Sequence, residues 1–308
     1  MIVARRERML GILAVLFASV LWGSTGTAAT FAPDVSPLAI GAVAMGLGGL
    51  LQALISAKGI IASRHRFRQN WRMLLTGALA VGIYPLAFYA SMHLAGVTVG
   101  TVISIGSAPL LSALIEYSLD GQRLSRRWMT GAAIGVAGMI LLCVAESAGH
   151  AATGQGSGVI AGIGLGLIAG LTYALYSWAA RHLMQRGIGS RAAMGATFGL
   201  GGLFLMPVLF ITGGPLLASW NNAAVGAYMA LIPMFVGYVC FGYALARIPA
   251  SMATTITLLE PAVAAVLAVL IVGERLPALG WTGIGLVVLC LIFITVPLKR
   301  RGSLPVSA

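Results

Sequence analysis

Glu260 stands inside the apolar stretch 250–271, with ten apolar or hydroxyl residues on each side. An ionisable group in such a setting is costly to place and is a functional candidate by default, able to exchange a proton or to hold a substrate ammonium. The structural reading beside it is a protonated Glu260 bonded to backbone carbonyls that Pro261 frees from the helix ladder. A second carboxylate, Glu116, lies close in sequence to Arg123 and Arg126 and reads as half of an interfacial ion pair. Hydroxyls recur at steps of three: Thr98, Thr101, Ser104 and Ser107 in one run, Ser251, Thr254 and Thr257 leading to Glu260 in another. That spacing keeps each set on one slowly rotating helix face, which suits a polar path. A hydroxyl in lipid can equally satisfy its own helix or a neighbour. Aromatic side chains gather in four runs, at Trp22, at Tyr84, Phe88 and Tyr89, at Tyr173, Tyr176 and Trp178, and at Tyr238, Phe241 and Tyr243. Rings with polar tips can enclose an organic cation or an apolar side chain. The substrate-binding candidates are therefore Trp22, Tyr84, Tyr89, Thr101, Ser104, Tyr173, Tyr176, Tyr238, Thr257 and Glu260. Trp178 and Tyr243, near run ends, are expected to mark the membrane interfaces. His93 reads as a solvated loop residue.

The elements that carry these residues follow from composition. Of 308 residues, 59% are apolar and 8% charged, and the mean hydropathy is +0.98. A soluble domain carries roughly 25% charged residues, so the solvent for this chain is lipid. A crossing helix needs about 20 apolar residues, and ten such runs can be drawn: 10–29, 37–56, 73–91, 97–117, 128–145, 158–184, 190–211, 225–245, 250–271 and 279–296. Too little sequence remains for a soluble domain. The fold expected is an all-α membrane protein of ten transmembrane helices.

The net charge of +12 would suggest nucleic acid in a soluble chain. Here its distribution matters more. With the N-terminus inside, eighteen of the nineteen Lys and Arg fall on the cytoplasmic side and only Arg275 falls outside. The charge is then a topogenic signal, with both termini cytoplasmic, and no nucleic-acid partner is expected. The basic start followed by residues 9–29 imitates a signal peptide, but the run is long for one and a repeat argues that it stays. Cys143, Cys240 and Cys290 lie in apolar runs without metal or disulfide spacing. No cofactor is expected.

The repeat appears when the chain is slid against itself by 152 residues. Pro109 then falls on Pro261, Ala113 on Ala265, Gly121 on Gly273, Arg123 on Arg275, Leu124 on Leu276 and Gly131 on Gly283. At 151, Trp22 falls on Tyr173 and Gly23 on Ala174. The unit is five spans, so residues 1–150 and 151–308 are expected to enter the membrane from opposite sides, as an inverted repeat of the kind many secondary transporters use. Ala108 stands where the second copy has Glu260, so a role for that carboxylate is not duplicated. The hydroxyl faces are displaced by one residue between copies.

Ten spans in two inverted halves, with Trp22-Gly23-Ser24, Ala108-Pro109-Leu110, Leu259-Glu260-Pro261 and Gly273-Glu274-Arg275-Leu276, resemble the EamA-type drug/metabolite transporter superfamily. Within it the chain looks most like bacterial amino-acid exporters, including the aromatic amino acid branch. The resemblance implies a secondary transporter in the inner membrane. It would export amino acids or related small metabolites by alternating access, with other organic metabolites or drugs as the alternative. The residues agree with this in one respect: a pocket of rings, hydroxyls and one carboxyl, without Lys or Arg in mid-membrane, should bind zwitterions weakly and tolerate varied side chains. No Walker motif is present, and the scattered acids and histidines form no constellation for an intramembrane enzyme. Glycines 158, 162, 166 and 170 make a small-residue stripe that permits close helix contact. A monomer can enclose its own pathway, although that stripe could serve a dimer. Pro85, Pro109 and Pro261 mark where helices are expected to bend.

Overall fold

The computed structural model describes residues 2–95, 97–149, 156–273 and 275–296. The readings that involve Glu274 and Lys299, Arg300 and Arg301 fall outside these residues, as does the side chain of Thr98. In lipid no water satisfies a free N–H or C=O, so apolar sequence must bond within its own segment. Accordingly the described residues form helices: α1 (Ile2–Thr30), α2 (Pro37–Ala62), the short α3 (Arg64–Gln69), α4 (Trp71–Ala95), α5 (Val97–Asp120) and α6 (Arg126–Gly149), then α7 (Gly156–Gln185), α8 (Ser190–Thr212), α9 (Trp220–Met229), α10 (Gly237–Leu245), α11 (Ala250–Ile256), α12 (Leu259–Leu267) and α13 (Ala278–Thr295). Among the described residues nine helical stretches are long and apolar enough to cross a membrane. The run 128–145 lies in α6, a 24-residue helix outside those nine.

Local sequence explains where helices begin and stop. Ser36 accepts the Ala39 N–H at 3.2 Å and Pro37 follows in the first turn of α2, where its missing N–H costs nothing. Gly121 ends α5 with φ +65°, and Gly273 follows the last helical turn after α12 with φ +80°. Both lie in the left-handed region that favours glycine.

Two expected helices are not regular. The run 225–245 is one helix from Trp220 to Leu245 with a π-helical turn, Ala230–Val236, around Pro233. The run 250–271 is broken at Thr257 and Leu258, between α11 and α12. Pro261 explains that break: its ring clashes with the carbonyl four residues back, which is that of Thr257. The Glu260 N–H bonds instead to the Thr257 carbonyl at 3.0 Å, and the Leu258 N–H to that of Thr255 at 3.2 Å, both tight three-residue turns. By contrast, α4 and α5 continue as helices through Pro85 and Pro109.

The helices pack in pairs that join the two halves. In α2 and α8, a Cβ on Gly195 would stand 2.7 Å from the Gln52 carbonyl, and one on Gly202 would stand 2.6 Å from that of Gly46. The residue numbers run in opposite directions, so the pair is antiparallel. The same holds for α6 and α13, where Gly131 meets Ile294, Gly135 meets Cys290 and Gly283 meets Leu142. Elsewhere α4 lies along α7, and α1 lies along α10 and α12. The glycine stripe of α7 is filled from within the chain: Gly162 lies against Ala95, Gly166 against Ser91 and Ile103, and Gly170 against Ser104 and Ser107.

Backbone contact at these seams leaves no room for a methyl group. Gly202→Ala should lower the stability of the detergent-solubilised protein by about 1–3 kcal/mol. Gly26→Ala, with nothing within 4 Å of the added carbon, should stay within about 0.5 kcal/mol. Thermal unfolding of the two variants checks the difference.

Candidate functional site

Helices from both halves bring their rings into one connected cluster. Trp22 of α1 lies 4.7 Å from Tyr238 and 5.3 Å from Phe241 of α10, measured between ring centroids. Tyr84 of α4 lies 5.6 Å from Tyr173 and 5.9 Å from Tyr176 of α7. Tyr173 and Tyr176 stack at 5.2 Å, and Phe198 of α8 closes the group at 4.4 Å from Tyr238. Tyr89 is joined through Phe88 at 5.3 Å, with its ring over Gly41 of α2.

The polar tips are largely committed. Tyr176 and Tyr238 share a hydrogen bond of 2.8 Å, and the Tyr173 hydroxyl donates to Thr257 Oγ1 at 3.0 Å. Thr257 in turn donates to the Thr254 carbonyl at 2.8 Å, which ties the break in the helix to the rings. The indole of Trp22 donates to the Pro233 carbonyl at 2.8 Å, inside the π-helical turn. Next to it, Gly23 lets α1 approach the Glu260 carbonyl, and Ser24 shares a hydrogen bond of 2.6 Å with Tyr228. Trp22-Gly23-Ser24 thus binds the first half to the two irregular helices of the second.

Tyr84, Tyr89 and Glu260 are only partly buried, whereas Trp22, Tyr173, Tyr176 and Tyr238 are buried. Glu260 occupies the first turn of α12, and its carboxyl lies within electrostatic reach of Tyr84, Tyr89, Tyr173 and Tyr238. Among the described residues no Lys or Arg joins the cluster. The accessible edge therefore combines phenol rings with a single carboxyl, a surface suited to an ammonium group and an apolar side chain. Of the ten candidates, Trp22, Tyr84, Tyr89, Tyr173, Tyr176, Tyr238 and Thr257 share one network, and Glu260 borders it. Thr101 and Ser104 sit apart on α5: Thr101 is half-buried, and Ser104 is buried beside Gly170 with no hydrogen-bond partner for its hydroxyl among the described residues.

The pattern of the EamA-like transporter family matches this sequence over residues 9–144 and again over 160–296. The chain belongs to that family. It is 30% identical to an uncharacterized transporter, YwfM, of Bacillus subtilis strain 168, over 94% of this chain and 95% of that one. It is 27% identical to a probable terminal-alkyne amino-acid exporter of Streptantibioticus cattleyicolor, over 92% and 97%. With the threonine/homoserine exporter RhtA of Escherichia coli K12 it shares 23% identity over 95% and 93%. A crystal structure 18% identical in sequence superposes with a TM-score of 0.74 over 92% of this chain and 95% of the other, and shows the same fold. The family and these relatives are transporters and not enzymes.

Three expectations need correction in this EamA-family chain. Glu116 forms no ion pair with Arg123 or Arg126. It is buried, at 1% exposure, and its carboxylate accepts the Ala250 N–H at 2.7 Å, the Ser251 N–H at 3.3 Å and the Ser251 hydroxyl at 2.5 Å. It caps the first turn of α11 from a helix 134 residues earlier, because those N–H groups have no partner in their own helix. Trp178 does not mark an interface: it is buried and donates to Asp120 Oδ2 at 2.8 Å. His93 belongs to the last turn of α4, although it is exposed as expected.

Sequence reasoning also passed over Phe198, a plain apolar residue in an apolar run, and Pro233, whose effect is a π turn and not a kink. Arg181 was assigned only to topology, yet its guanidinium donates to the Leu245 and Ile248 carbonyls and closes the chain before α11. Removing the Glu116 carboxylate strands buried N–H groups. Glu116→Ala should cost about 1–3 kcal/mol, and Glu116→Gln, which keeps one acceptor, should recover part of it in the same unfolding measurement.

Proposed function

We propose that this protein is a secondary transporter that exports amino acids, aromatic ones included, from the cytoplasm across the bacterial inner membrane by alternating access. The observation that carries the reading is the cluster between the halves: phenol rings and a single carboxyl at an accessible edge, with no fixed positive charge. Such a site holds an ammonium and an apolar side chain without demanding one side-chain shape. Two relatives named as amino-acid exporters support the substrate class.

The architecture we propose is ten crossing helices in two inverted repeats of five, residues 1–150 and 151–308, with both termini cytoplasmic. Three findings support it. Helices paired by the 152-residue offset, α6 and α13, lie antiparallel, as an axis in the membrane plane requires. Their contacts exchange under that offset: Gly131 with Ile294 maps onto Gly283 with Leu142. Gly121 and Gly273, also paired by it, share a positive φ. An arrangement of this kind lets a solute between the halves meet either compartment in turn.

The central site residues are Tyr84, Tyr89, Tyr173 and Glu260, with Trp22, Tyr176, Tyr238 and Thr257 fixing their positions and Thr101 and Ser104 on the neighbouring wall. In proteoliposomes loaded with unlabelled amino acids, radiolabelled phenylalanine or threonine should accumulate by counterflow well above empty vesicles. Absence of counterflow for every amino acid tested, with counterflow of another organic metabolite, would replace the substrate class. If Glu260 exchanges a proton during the cycle, the transport rate varies with pH in the wild type and Glu260→Gln flattens that profile. An unchanged profile returns Glu260 to a structural role beside Pro261.

A further inference from the structure

A concave region lies away from the rings, where α1 begins, α5 ends and α11 begins. It is a cavity of about 360 Å³ lined by Arg8, Arg123, Arg127, Glu116, Trp128 and Ser251, among others. Small-molecule sites generally enclose about 300–1,000 Å³, so an amino acid fits within it.

Its charge is lopsided. Three guanidinium groups face one carboxylate, and that carboxylate is already occupied by the N–H groups and hydroxyl at the start of α11. Arg127 spends Nε and one terminal nitrogen on the Phe293 and Val296 carbonyls and is held in place by them. Among the described residues Arg8 reaches only the Met252 sulfur, at 3.8 Å, and Arg123 forms no ion pair. Planar guanidinium forks that line one cleft can take a carboxylate bidentately. Arg127 is the one held in place, while Arg8 and Arg123 are exposed at the cavity edge and free to turn toward a ligand. A cleft lined by one sign of charge also concentrates small ions of the other.

The helix α11 that lines the cavity leads toward the central cluster. Ser251 lines it, Thr255 accepts a hydrogen bond from the Trp128 indole at 3.2 Å, and Thr257 receives the Tyr173 hydroxyl. From Ser251 to Thr257 is six residues, roughly 9 Å of helix rise. One helix therefore carries a run of hydroxyl residues between the cavity and the rings, buried beneath the surface.

We propose that this cavity is the capture site for the carboxylate of the exported solute, entered from the cytoplasm, with Arg123 as the principal ligand and Arg8 and Arg127 beside it. The two sites act in turn, since the carboxylate and ammonium share one carbon: the guanidinium groups take the carboxylate first, and the ring cluster takes the ammonium and side chain once the solute has moved deeper. This rests on the export reading, and its test separates the two.

The probe is Gln122→Cys at the cavity mouth, its labelling rate with a maleimide measured against the wild-type chain in detergent and in phosphatidylcholine vesicles. L-phenylalanine should slow labelling several-fold, and L-phenylalaninol, which lacks the carboxylate, should not. Adding Arg123→Gln should abolish that protection, and Arg123→Lys should keep part of it. Equal protection by both compounds, or protection unaffected by Arg123→Gln, overturns the site. Protection by phosphatidylglycerol in the vesicles with none by phenylalanine assigns the arginines to a lipid headgroup and overturns it too. Phenylalanine counterflow without protection removes the capture site and leaves export standing; protection without counterflow does the reverse.

Discussion

The structure depends on one constraint: in lipid a backbone N–H or C=O released from its helix must find another partner inside the protein. Where helices are interrupted, side chains from other helices meet the need, in two cases from the other half of the chain. The first N–H groups of α11 bond to Glu116 of α5. The carbonyl of Pro233, in the π-helical turn, takes the Trp22 indole of α1. The broken turn at Thr257 presents a hydroxyl to Tyr173. Irregularity in one helix and contact between helices are therefore the same event, and the aromatic cluster forms where these events converge.

This also accounts for the absence of fixed positive charge at the ring cluster. The buried tips of Trp22, Tyr173, Tyr176 and Tyr238 are each paired with a neutral group, so no basic residue is needed there. The arginines instead bond carbonyls at helix ends, Arg181 at Leu245 and Ile248 and Arg127 at Phe293 and Val296, where the helix dipole favours positive charge. Arg247 pairs with Glu7 at 2.6 Å in the same layer. The result is an aromatic middle and a basic end.

Much of this was legible in the sequence, and the limits have physical causes. Helical stretches follow from hydropathy because lipid admits few alternatives, and the ring cluster follows because Trp22 and the tyrosines of three other helices stand within their apolar runs. The break before Glu260 was hidden, since its neighbours are as apolar or hydroxyl-bearing as any helix interior and only Pro261 hinted at it. Glu116 was misread because the nearest charges in sequence suggested an ion pair, while its true partners are backbone groups 134 residues away. Trp178 failed in a similar way: its place near a run end pointed to the bilayer surface, but Asp120 from another helix claims its N–H.

The π-helical turn at Ala230–Val236 has a geometric result of its own. A π turn accommodates one residue more than a regular turn, and each residue in an α-helix advances the side chains by about 100°. The extra residue thus sets the azimuth of everything that follows in the helix. With it, Tyr238 and Phe241 look inward at Trp22; without it, that face would swing toward the hydrocarbon. The inner lining of this protein is aimed by a single surplus amino acid several positions upstream.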